Sequence, residues 1–379
     1  MSREERLSLG GICADFARRE AWLARRAAAA GLTRREFLQV LAAGAAAATV
    51  ASAGGAGATA TVASAGGAGT AAATVASAGG AGAAEAVAAA RGAGAAEAVP
   101  RSRVVLVTHP EVLVKDYRVN PPIIRQMLDR ALVELTGKRT EAEAWQTVGR
   151  EDDFVAVKHN AIGAPTLHSH TEINEAVAGQ LAASAKVKPD RILAVDRDLP
   201  APYNELSAPF TLPSRGLKTH LRRLYTDQAT AIINVSVLKA HFGEGLSEAM
   251  KNHLGSVNNP AAFHGWEPDR LPRSLPELSA LEPLRRKTRL VIIDAIRPLF
   301  AGGPADNAEY RWDYRGLIVA TDPVAASAVG LRLLEEKRAA VRGKEWPMTA
   351  ARQMAAYAQS IGLGSAEADR IDLVRADMG

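Results

Sequence analysis

The sequence predicts an α/β fold: a mainly parallel sheet with helices on both faces, in a single globular domain that follows a disordered N-terminal segment. Three observations carry this. From Arg101 onward, short apolar runs rich in β-branched residues alternate with stretches of helical period. Polar clusters follow five of those runs directly: Lys158-His-Asn160, Asp196-Arg-Asp198, Lys239-Ala-His241, Asp294 and Asp322. Before Arg101 the chain is dominated by repeats of small residues that bury too little to offset their ordering entropy.

The strands read as Arg103 to Thr108, Asp153 to Val157, Arg191 to Val195, Ala231 to Leu238, Arg289 to Ile293, Gly316 to Ala320 and Ile371 to Val374. Between the first two, Asn120-Pro-Pro122 opens a helix whose apolar stripe runs from Ile123 to Leu135 and stops at Gly137. Thr140 to Val148 is a short helix with Glu143 completing a capping box. Ser169-His-Thr-Glu172 has the same capping pattern, and Ile173, Val177 and Leu181 follow it at helical spacing. Residues 199–214 read as a Pro-rich loop and Arg215 to Thr226 as a basic helical stretch. The run from Ala231 breaks at Lys239-Ala-His241, where Gly243 and Gly245 permit a tight turn. A helical pattern with Lys251, Asn252 and His253 comes next and ends at Gly255, read as its C-cap. Residues 258–274 are polar, with Phe263, His264 and Trp266 embedded, and Leu275 to Arg286 is helical. Tyr310 to Tyr314 reads as an edge-strand or hairpin piece. Asp322-Pro323 caps a helix running to about Arg338, and Met348 to Ile361 is another.

The first hundred residues divide in two. Residues 1–53 have the order of a twin-arginine export signal: Arg34-Arg35, then Phe37 and Leu38, an alanine-rich apolar stretch, and Ala51-Ser-Ala53 at a cleavage point. That stretch is too short and too rich in small residues to span a membrane. Residues 54–100 are a flexible linker. Thr49 to Gly57 recurs at Thr61 to Gly69 and Thr74 to Gly82, a period too poor in large apolar side chains for a solenoid. The α/β domain of unknown function is then 101–379. The reading implies a periplasmic or otherwise exported protein with the twin-arginine translocation machinery as a partner.

Composition narrows the function classes. The formal net charge of +5 owes much to the signal, because residues 1–53 hold eight basic and five acidic residues. The remainder is close to neutral, so nothing calls for a nucleic acid partner. The one cysteine, Cys13, lies in the signal, which excludes a disulfide and a cysteine-ligated iron–sulfur cluster from the exported chain. The pattern G-x-G-x-x-G, a Walker loop and H-E-x-x-H are missing.

The clusters that end strands carry the chemistry. In parallel sheets ligands sit beyond the carboxyl ends of the strands. Lys158, Asn160, Lys251 and Asn252 are read as substrate-binding groups for a carboxylate or phosphate. Lys239, His241 and Asp294 are the candidate catalytic residues, the lysine and histidine to bind and polarise, a histidine or Asp294 to move protons. His168 and His170 form an H-x-H pair able to hold a divalent metal as neutral imidazoles, with His159 and His241 as further imidazoles. Each has a plainer reading: a lone lysine as a solvated charge, Lys251-Asn252-His253 as the wet face of a helix, Asp322 as an N-cap.

Taken in order, Val155-Ala-Val-Lys158-His-Asn160, Ile233-Asn-Val-Ser-Val-Leu-Lys239-Ala-His241, Ala249-Met-Lys-Asn-His-Leu-Gly255, Ile293-Asp294 with Gly303-Pro304, and Ala320-Thr-Asp-Pro323 resemble the family called domain of unknown function 362. The resemblance covers most of residues 103–378, and Ser236 stands where the family pattern expects proline. Some relatives carry a ferredoxin-like cysteine domain that this chain lacks. The family label implies the fold and the site without naming a reaction. The expectation is therefore an exported enzyme acting on a small anionic or metal-bound substrate, and the alternative is a non-catalytic periplasmic metal- or anion-binding protein.

Overall fold

A computed structural model describes residues 101–241, 245–263 and 273–379. The export signal, the linker, Gly243, His264 and Trp266 lie outside the described residues. Among those residues no helix is long and apolar enough to cross a membrane.

The sheet runs β10 (Ile371–Asp377), β1 (Ser102–Thr108), β9 (Gly316–Ala320), β8 (Thr288–Leu299), β6 (Ala231–His241), β2 (Val155–Lys158), β3 (Ile192–Val195). All of these pair in parallel except β9, which is antiparallel to both β1 and β8. A short strand, β7 (Gly245–Ser247), folds back antiparallel on the end of β6. The central strands are buried on both faces, which explains why they read as continuous apolar runs rather than alternating ones.

One face is covered by α1 (Pro121–Thr136), α2 (Glu141–Trp145) and α3 (Thr171–Ala183). Ile124, Met127, Leu128 and Ile173 pack there against Val105, Ile233 and Ile292. The other face carries α4 (Ala249–Asn252), α5 (Ser274–Ala280), α6 (Glu282–Lys287), α7 (Pro323–Arg342) and α8 (Thr349–Ser360). Gly137 and Gly343 close α1 and α7 in the left-handed conformation, and the predicted capping box of Thr140 and Glu143 is formed.

Four readings of the sequence change. The stretch 206–222 is a two-stranded hairpin, β4 (Leu206–Leu212) with β5 (Leu217–Arg222), rather than a loop and a basic helix. Thr219 and Leu221 are buried while Lys218, His220 and Arg222 look outward, a period of two that its basic residues obscure. Ser169 does not cap α3. Its hydroxyl instead accepts from the Asn160 N–H (3.0 Å) and donates to the Asn160 carbonyl (3.2 Å), which ties the loop after β2 to the start of α3. Gly255 is no helix C-cap, because the chain continues through it as a 3-10 turn, His253–Ser256.

The fourth change concerns polarity. β9 runs against its neighbours, so Asp322 emerges at the opposite end of the sheet from the other four clusters. There it accepts from the backbone N–H of Val324 (2.8 Å) and Ala325 (3.0 Å), the N-cap of α7, and from the Ser102 hydroxyl (2.6 Å).

Candidate functional site

The site exists because neighbouring strands end at different heights. β6 is 11 residues long and β2 only four. Their ladder stops at the pair Lys158–Asn234, and β7 takes up the same side of β6 only at Lys239. Residues 235–238 therefore have no strand beside them on that flank, and a cleft of about 100 Å³ opens against them. Asn160, Ser236, Lys239, His241, Lys251 and Asn252 line it, with Glu248 and Gly255.

Lys158 and Asn234 are register partners, so their side chains leave the sheet on the same face, under α4. Lys158 is fully buried, and its ammonium donates to Asp196 Oδ1 (2.6 Å), to the His159 carbonyl (2.6 Å) and to Asn252 Oδ1 (3.2 Å). Burial alone would raise the Asp196 carboxyl, but the charge and hydrogen bond of Lys158 outweigh it and hold the acid below its ordinary range. Burial draws Lys158 below the usual lysine value, against the pull of Asp196. Asp196 also accepts from the Ala161 N–H through Oδ2 (2.9 Å). The pair is thus saturated from both sides.

The Asn252 amide donates to Asn234 Oδ1 (2.7 Å) and to the carbonyls of Lys158 (3.0 Å) and Val235 (3.2 Å). Asn234 donates in turn to the Ala249 carbonyl (2.8 Å) and to His253 Nε2 (3.3 Å). Burial, with Lys158 nearby, pushes the His253 imidazole down to about 3, so it is neutral and accepts through Nε2. The segment Lys251-Asn252-His253 is therefore buried structure rather than a wet helix face. Gly255 lies directly over the ion pair: a Cβ there would stand 2.7 Å from both Lys158 Nζ and Asp196 Oδ1.

Lys239 has a different environment. It is 1% exposed, and its ammonium donates to Asn160 Oδ1 (2.9 Å) and the Ile162 carbonyl (2.9 Å), both neutral. Among the described residues no carboxylate comes within ion-pair distance of it. Burial, and after it the charge of the neighbouring Lys251, lower its pKa to about 8, with Asp196 offsetting only part of their effect. Lys251, 8% exposed, adds a second ammonium to the cleft, and His241, 6% exposed, adds an imidazole.

Not all the expected residues converge here. Asp294 sits between Ile292 and Ile296, which pack on the face of α1 and α3, so its carboxylate leaves the sheet on that face. It does not line the cleft. It accepts from the backbone N–H of His170 (2.9 Å) and holds His170 Nδ1 at 2.6 Å, while Oδ1 accepts from the Ile296 N–H (3.0 Å). Burial pulls the His170 imidazole down, yet the Asp294 charge and hydrogen bond prevail and its pKa is raised. The catalytic trio read from the sequence is thus split: Lys239 and His241 share one cleft, and Asp294 belongs to a His–Asp pair across the sheet.

His168 and His170 lie with ring centroids 6.1 Å apart. Both nitrogens of His168 face carbonyl oxygens, of Ser169 (2.8 Å) and Pro165 (3.0 Å), and Nδ1 of His170 faces Asp294. Among the described residues no group of three or more His, Cys, Asp or Glu side chains is gathered as a metal site.

Contributors missing from the sequence-derived set of binding residues include Asp196, Asn234, Ser236, Glu248 and Gly255. Asp196 was visible only as one of the polar clusters after strands. Asn234 and Ser236 did leave a signal, as polar residues two apart inside an otherwise apolar run. Gly255 left none, since its role depends on what folds beneath it.

A family model described as Domain of unknown function (DUF362) matches residues 218–332. That span contains Lys239, His241, Lys251, Asn252 and Asp294, but not Lys158, Asn160, His168 or His170. No curated protein and no solved structure matches the chain. From β5 to the middle of α7 the chain thus bears the likeness to that family which its motifs suggest.

Proposed function

We propose that this chain is an exported enzyme that binds a small anionic substrate in the cleft beside the overhang of β6. One observation carries the reading: Lys239 is a buried ammonium held by two neutral oxygens, with no carboxylate in ion-pair reach among the described residues. A buried charge without a counter-charge is costly, several kcal/mol by order of magnitude. A bound anion would supply the missing charge, and His241 and Lys251 flank the same space.

Catalysis, rather than storage, is favoured by the depressed pKa of Lys239. At about 8 the group can both give and take a proton near neutral pH, as perturbed groups in clefts commonly do. Export rests on the Arg34-Arg35 pattern and its flanks. A divalent metal accompanying the substrate is compatible with the imidazole His241 at the cleft wall.

The experiment is to purify the mature protein from its native host, identify co-purifying small anions and metals by mass and elemental analysis, and incubate each with fresh enzyme. An anionic compound that wild type retains and consumes, and that Lys239→Met neither retains nor consumes, is the expected result. Stoichiometric retention without turnover would favour the non-catalytic binding protein instead. Retention unchanged by Lys239→Met would remove the cleft from the account.

A further inference from the structure

Besides Lys239, the wall of the cleft holds buried polar groups with no hydrogen-bond partner among the described residues, the Glu248 carboxyl and the Ser236 hydroxyl. Ser236 follows Asn234 by two residues on β6, so both side chains project from the same face of the strand. Asn234 is fully engaged, with Asn252, Ala249 and His253 as partners. Ser236 is 1% exposed, yet among the described residues its hydroxyl has no hydrogen-bond partner. Buried hydroxyls are nearly always bonded, and an unbonded one costs about 1–3 kcal/mol. A serine there calls for an acceptor from outside the described residues.

The position supports this. Ser236 falls within residues 235–238, where β6 has no strand on the flank that opens to the cleft. The Val235 carbonyl in the same gap is taken by Asn252. Lys239, three residues on, lines the cleft too and spends two of its three N–H donors on Asn160 and Ile162.

We infer that the Ser236 hydroxyl and the remaining N–H of Lys239 act as paired donors to a single oxyanion group of the ligand, a carboxylate or a tetrahedral oxyanion such as phosphate. This rests on the anion-binding reading of the cleft. The pairing combines one neutral donor with one charged donor, and bonds to the charged one are the stronger. A cavity of about 100 Å³ accommodates a small anionic head group and little more. Ser236 is then a residue that sets ligand specificity, since a serine hydroxyl discriminates an acceptor that an apolar side chain would merely tolerate.

The test uses the full chain and three probes, orthophosphate, sulfate and acetate, titrated by calorimetry into wild type, Ser236→Ala and Lys239→Met at pH 7. Tetrahedral and planar oxyanions form separate arms, so the preferred geometry is read directly. The expected result is one-to-one binding of at least one probe, weakened roughly tenfold by Ser236→Ala and abolished by Lys239→Met. The thermal midpoint of Ser236→Ala without ligand is expected to equal or exceed that of wild type, because the substitution removes an unsatisfied group. Unchanged affinity in Ser236→Ala, with binding lost in Lys239→Met, would overturn the role of Ser236 and leave the cleft reading intact. No binding of any probe by wild type, or binding unaffected by Lys239→Met, would overturn both.

Discussion

Two of the buried lysines around the cleft, Lys158 and Lys239, are held in opposite ways. Lys158 ends β2 and meets Asp196, which directly follows β3, at 2.6 Å, with two further oxygens around its ammonium. Lys239 lies on the overhang of β6 and meets only neutral oxygens. The difference follows from strand length. β2 and β3 are parallel neighbours ending at the same height, with Lys158 in register with Val195, so the residues that follow converge. β6 continues past both, and the strand that resumes beside it, β7, sets Ser247 rather than a carboxylate opposite Lys239. The first lysine is built into the fold, and the second is left to face whatever enters the cleft.

Removing the counter-charge from the first lysine is the strongest way to break this comparison. Asp196→Ala leaves Lys158 charged and buried, and is expected to cost about 3–5 kcal/mol in chemical denaturation. The corresponding change at the second lysine, Lys239→Met, is expected to stay within about 1 kcal/mol of wild type at pH 7, because relief of an unpaired charge offsets two lost hydrogen bonds. Comparable losses from the two variants would erase the distinction.

Titration sharpens it. The folded-state pKa of Lys239, about 8, lies below the ordinary lysine value of 10.5. Between these values the unfolded chain binds more protons than the folded one, so stability rises with pH across that window. Below pH 8 the penalty is fully present, and above 10.5 it has gone. The contribution is on the order of 3 kcal/mol. The measurable quantity is the difference between wild type and Lys239→Met, small at pH 7, which should widen in favour of wild type as pH rises to 10.5. A constant difference would show that Lys239 is not desolvated as described.

A smaller effect is expected at Gly255. An added methyl group would press on Lys158 and Asp196 at 2.7 Å or less, where both partners are pinned. Gly255→Ala is expected to cost about 1–3 kcal/mol as overpacking. In the double variant with Asp196→Ala the two losses should fall short of their sum, since they act on the same pair. Full additivity would place the strain elsewhere.

Much of the fold was legible because its strands are apolar on both faces and its helices amphipathic. The runs at Val104, Ile233, Ile292 and Ile318 carry enough β-branched residues to be recognised without neighbours. The hairpin 206–222 was not, because a half-exposed basic strand shares its composition with a surface helix and differs only in period. Near the cleft, the expectation that polar residues after parallel strands gather at one end of the sheet matches the proximity of Lys158, Asn160, Lys239 and His241. The same rule failed for Asp322 because it presumes a direction. Nothing in Gly316-Leu-Ile-Val-Ala320 records that this strand runs backwards, since strand polarity is set by which neighbours it joins.

By itself, then, the sequence determined what most segments are, the hairpin 206–222 excepted, and which strands end in charge. Those properties follow from side-chain chemistry over a few residues. Only the tertiary structure decided which charges meet. It paired Lys158 with Asp196, sent Asp294 through the sheet to His170, put Gly255 over an ion pair, and left Ser236 and Lys239 facing a common space. These outcomes depend on register, strand polarity and the unequal heights of β2 and β6, which arise only when segments distant in the chain pack against one another.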